Sequence, residues 1–77
     1  MVTVKISKYD IERLRIEYES CLEAGFKPDD EIIFPFYGIG YSRIGMERCK
    51  QLIEEGQALG VIKYIEVQVE MFNQPQQ

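Results

Sequence analysis

Ile65-Glu66-Val67-Gln68-Val69-Glu70-Met71 alternates apolar and polar residues without a break. A period of two marks a β-strand with one face buried and one face wet. The N-terminal segment Val2-Thr3-Val4-Lys5-Ile6 carries a shorter copy of the pattern, so a strand is expected at each end of the chain. The spacing between them changes from two to three and four. Ile11, Leu14, Tyr18, Cys21 and Leu22 recur at helical intervals and predict a core-facing helix from about Lys8 to Ala24. Ser7 stands three residues before Asp10, the spacing of a capping box, and Gly25 is placed to stop the helix in the left-handed conformation. Tyr9 and Ile16 are seven apart and lie on one side of this helix, away from the core stripe.

A turn is expected at Lys27-Pro28-Asp29-Asp30. The segment Glu31 to Tyr37, EIIFPFY, is rich in β-formers and predicts a second strand. Pro35 lacks a backbone donor, so that strand belongs at an edge or a bulge. Gly38-Ile39-Gly40 predicts a turn, and Tyr41 to Ile44 either a short third strand or a lead into the next helix. Met46, Cys49, Leu52, Ile53, Gly56 and Leu59 share one face of a second helix, ending near Gly60. A final strand is expected over 61–72, with a bulge near Tyr64 if its register resets. The order β-α-β-(β)-α-β matches the split βαβ pattern termed ferredoxin-like. The fold class expected is therefore α+β, a small two-layer sandwich, with one domain over residues 1–72 and a polar, frayed tail over 73–77.

With 77 residues the chain has room for one modest core and little for a deep catalytic cavity. It has no histidine, which removes the commonest general base and metal ligand together. Two cysteines, Cys21 and Cys49, are too few for a cysteine zinc site and fall on apolar helix faces, as buried thiols do. No catalytic residue, cofactor or metal site is expected. The first apolar run is too short for a signal peptide, and no stretch approaches a membrane span, so a cytoplasmic location is the default expectation.

The net charge is −4, with 13 acidic and 9 basic residues, which argues against a freestanding nucleic-acid binder. The glycine-rich stretch Gly38 to Gly45 has the setting of a phosphate cradle but not its residues, since Met46 and Glu47 follow where a P-loop needs Lys and Ser or Thr. Ser42, Arg43, Arg48 and Lys50 are the candidate anion or nucleic-acid contacts. They would serve an alternative reading, a winged-helix-like DNA-binding regulator using the second helix, which needs a helix where Pro35 stands. The favoured expectation is a non-enzymatic regulator or inhibitor that binds another protein. Its candidate contacts are Phe34, Phe36, Tyr37 and Tyr41, with Tyr9 and Ile16 as a second patch, because a chain this small has aromatics to spare for an interface. Glu12, Glu19 and Glu23 would steer a basic partner. An exposed edge strand also invites pairing with a second copy.

Overall fold

A computed structural model describes residues 2–58 and 64–71. Four antiparallel strands and two helices follow one another as β1 (Val2–Ser7), α1 (Lys8–Glu23), β2 (Glu31–Phe36), β3 (Gly40–Gly45), α2 (Met46–Ala58) and β4 (Tyr64–Met71). The α+β class and the element order are those expected, and the optional third strand is present. The sheet order is β1-β4-β3-β2, so β1 and β2 are the edges. Helix α2 thus links two strands that pair directly and antiparallel, unlike the parallel strands of a βαβ crossover. Leu59, Gly60 and the expected tail lie outside the described residues.

Each strand buries one face. Ile6, Ile32, Phe34, Phe36, Ile44, Val67 and Val69 form one core with Ile11, Leu14 and Cys21 of α1 and Met46, Cys49, Leu52 and Ile53 of α2. The helices are set as their sequences dictate. Ser7 Oγ accepts the Asp10 N–H at 3.1 Å and caps α1. At the other end Gly25, with φ +97°, donates to Leu22 O, and the Phe26 N–H reaches Cys21 O, the paired bonds of a Schellman stop. Helix α2 packs on α1 at Gly56, where an added Cβ would lie 2.7 Å from Ile11 Cγ2. The glycine on the core face therefore marks a close helix–helix approach.

Two positions depart from the helical expectation. Leu22, assigned to the core stripe, is exposed, whereas Asp10 is buried. The carboxylate is held inside because three groups bond to it, as described below.

Ser7 lies opposite Tyr64, Ser42 opposite Met71, and Phe36 opposite Gly40. In a flat sheet this stagger would leave the ends of β1 and β2 about 30 Å apart along the strands. Yet Asp10, three residues past β1, accepts a hydrogen bond from the Tyr37 N–H just past β2. The sheet must therefore coil until those two ends meet, as staggered strands do when a sheet curls towards closure.

Candidate functional site

Among the described residues, the meeting point of the two ends is the most elaborated polar cluster. Asp10 is 2% exposed. Its Oδ1 accepts from Arg13 Nη1 at 2.6 Å and from the Tyr37 N–H at 3.3 Å, and Ser7 Oγ approaches Oδ2 at 3.3 Å. Arg13 carries the network onward. Its Nη2 donates to Pro35 O at 3.0 Å, and its guanidinium stacks 4.8 Å from the Phe34 ring centroid and 5.8 Å from that of Tyr9. Pro35 cannot donate, so its pair with Tyr41 is a non-hydrogen-bonded one, and its carbonyl points away from β3. Arg13 satisfies that carbonyl. The outer edge of β2 is closed here by a missing donor and an occupied acceptor.

Above this network Tyr9, Arg13, Pro35, Phe36 and Tyr37 line a surface cleft of about 280 Å³. Tyr37 is 83% exposed and Tyr9 68% exposed. Gly38 and Gly40, both with positive φ, form the turn that carries Tyr37 on its near side, and the Ile39 N–H closes it onto Phe36 O at 3.0 Å. Tyr41, directly across from Pro35, is exposed on the outer face of the hairpin. Two residues far apart in sequence, Tyr9 and Tyr37, are thus brought to one cleft on a backbone pinned from beneath by Asp10.

Several candidate residues lie elsewhere. Phe34 and Phe36 are 4% and 2% exposed and belong to the core, their rings edge-on at 5.0 Å. They support the cleft and cannot be surface anchors. The signal was present in the parity of EIIFPF, which puts Ile32, Phe34 and Phe36 on one face and Ile33 and Pro35 on the other. Ile16 is exposed on α1 but does not line the cleft. Ser42 is fully buried, with its hydroxyl 3.6 Å from Met71 Sδ, so it is no anion contact. It shares the inward parity of Ile44. The residues missing from the sequence-based site are Asp10 and Arg13. The capping box and the three-residue spacing to Arg13 locate them, but nothing local shows that Tyr37 joins them.

The basic candidates are split. Arg43 and Arg48 line a cleft of about 270 Å³ beside β3 and β4, together with Glu31 and Glu70, and Arg43 lies 3.9 Å from Glu31. Lys50 lines a different cleft, between the helices, with Arg15 and Glu54. Acidic residues stand among these cations, and no single basic surface forms from them. Residues 31–36 are strand, so the helix required before α2 by a winged-helix arrangement is absent among the described residues. The glycine turn leads into β3 rather than a helix, so the phosphate-cradle setting is absent too. On α1, Glu12 and Glu19 both accept hydrogen bonds from Arg15, which offsets part of the acidic face expected to steer a partner.

Both cysteines are buried and free. Burial, reinforced by the charge of Cys21, pushes the Cys49 thiol up to about 12. A thiol so held is a packing group and not a nucleophile at neutral pH. No described helix is long and apolar enough to cross a membrane. No protein-family model matches this chain, and neither a curated protein nor a solved structure matches it.

Proposed function

We propose that this chain is a non-enzymatic regulator that binds another protein through the cleft of Tyr9, Pro35 and Tyr37, with Tyr41 at its margin. One observation carries the reading: two highly exposed tyrosines flank one cleft on a backbone fixed by a buried carboxylate. Exposed aromatics are frequent anchors of protein interfaces, and rigid ones lose little entropy when a partner covers them. Arg13 has its guanidinium committed to Asp10 and Pro35, so the cleft offers π faces, apolar surface and phenol hydroxyls rather than a free charge. Such a surface suits an apolar or aromatic side chain of a protein partner. The buried thiols are consistent with a reducing compartment, which favours the cytoplasm. The split basic residues give the DNA-binding alternative no continuous footprint.

The test begins with affinity capture from host lysate, with and without nuclease, to obtain a partner. Calorimetric titration of purified partner then compares wild type with Tyr9→Ala, Tyr37→Ala and, as an exposed control on β4, Tyr64→Ala. The reading predicts that Tyr37→Ala weakens binding by about 30-fold or more while Tyr64→Ala is neutral. Unchanged titrations for both Tyr9→Ala and Tyr37→Ala would remove this surface from consideration.

A further inference from the structure

We propose that the free edge of β1 pairs with β1 of a second copy, antiparallel and centred on Val4, so that two sheets join into one. The inference does not rest on the cleft described above. It rests on how differently the two edges are finished and on the charge pattern of β1.

The β2 edge is blocked by Pro35 and by Arg13 on its carbonyl. On β1 there is no proline, and its four residues from Val2 to Lys5 are exposed or only partly buried. Val2 and Val4 face the core side of the sheet but are incompletely covered, Val2 being 41% exposed. An edge of this kind holds unpaired backbone groups next to uncovered apolar surface.

Two-fold symmetry restricts the register. Opposed residues in an antiparallel pair share a face, so the centre must fall on a residue and not between two. A centre on Lys5 would set Lys5 against its own copy. A centre on Thr3 would join fewer of the described residues. With Val4 at the centre, Val4 meets Val4, Val2 meets Ile6, and Thr3 meets Lys5. Within one chain Lys5 already stands opposite Glu66, Thr3 opposite Gln68, and Val4 opposite Val67. The outer face of the joined sheet then runs Glu66, Lys5, Thr3, Gln68 across the two copies, with no like charges opposed. Its inner face runs Val67, Val4, Val4, Val67, and the exposed part of Val2 is covered. Charge and apolar complementarity therefore coincide in one register.

The experiment is analytical ultracentrifugation of the full chain over a wide concentration range, with circular dichroism confirming that each variant is folded. Wild type is expected to show a concentration-dependent monomer–dimer equilibrium. Thr3→Lys places two lysine–lysine pairs across the junction and is expected to raise the dimer dissociation constant by about tenfold. Adding Lys5→Thr to Thr3→Lys moves the charge to the partner position and is expected to restore association. As a check independent of those variants, Val4→Cys should form a symmetric disulfide on oxidation, since opposed Cα atoms lie within bonding range, whereas Lys5→Cys should not. A wild-type chain that stays monomeric throughout overturns the proposal. So does a dimer indifferent to Thr3→Lys, or a double variant as weak as the single one.

Discussion

The two edge strands of this sheet end in opposite ways. At β2, a proline removes a donor, Arg13 occupies the facing carbonyl, and the turn that follows is tied to Asp10. At β1, the residues from Val2 to Lys5 carry no such device, although the strand's last residue, Ser7, enters the same network from the other side. Closing a strongly coiled sheet and sealing its edges are therefore separate problems. Asp10 solves the first by joining the end of β1 to the end of β2. Pro35 and Arg13 solve the second for β2 alone. The strand left bare is an edge among the described strands, and the sealed end sets the exposed Tyr9 and Tyr37 beside one cleft on a backbone bonded to Asp10.

The largest effect should come from breaking the junction. Asp10→Ala leaves the Tyr37 N–H and Arg13 without their buried acceptor and is expected to cost about 2–3 kcal/mol in urea denaturation. Asp10→Asn keeps an acceptor for Tyr37 but loses the ion pair, and should cost about half as much. Equal losses for the two variants would mean that the charge, and not the link to β2, holds the ends together.

A helix contact provides a comparison with ordinary packing. Gly56→Ala would gain helix propensity, yet its Cβ would lie 2.7 Å from Ile11 Cγ2, so that Ile11 must shift. A net loss of about 1–2 kcal/mol is expected, with Ile11→Ala in the same chain recovering part of it in a double-mutant cycle. That coupling should be absent between Gly56→Ala and Asp10→Ala if the core and the junction act separately.

Arg13→Ala sharpens the contrast between edges. It exposes the Pro35 carbonyl and removes stacking from Phe34 and Tyr9, for an expected loss of about 1 kcal/mol. Pro35 still blocks the ladder, so self-association should not rise. A new oligomer in ultracentrifugation would show that Arg13 alone guards β2.

Alkaline pH gives the smallest effect near neutrality. The Cys49 thiol is raised from 9.0 to about 12 by burial. A raised pKa means that the folded state holds its proton where the unfolded chain has lost it. The associated stability is complete below pH 9 and is lost as pH rises towards 12. Urea midpoints should fall across this window, and fall less steeply in Cys49→Ala. Parallel declines in both proteins would place the alkaline sensitivity elsewhere.

Much of this fold was legible in the sequence because its signals are local. The alternation from Ile65 to Met71 fixed a one-face-buried strand, Ser7 and Gly25 bracketed α1, and Pro35 marked an edge. Gly56, placed on the core face of the second helix by its spacing, sits where α2 packs on α1. The site was less legible. Phe34 and Phe36 were assigned to the surface on the argument that a small core could not hold them, but strand parity outweighs that argument. Asp10 reads as a capping residue, which is ordinarily exposed. Its burial depends on Tyr37, 27 residues away, and on a coil of the sheet that follows only from the pairing register. Long-range closure of this kind leaves no mark on local periodicity.

Whether Asp10 joins the two ends of the coiled sheet is answered by amide hydrogen exchange at Tyr37, followed by NMR in wild type and Asp10→Ala. The Tyr37 amide is expected to exchange slowly in wild type, despite its exposed side chain, and rapidly in Asp10→Ala while the β3 amides paired with β2 remain protected. A Tyr37 amide that exchanges at the rate of an open loop in the wild-type protein would contradict it.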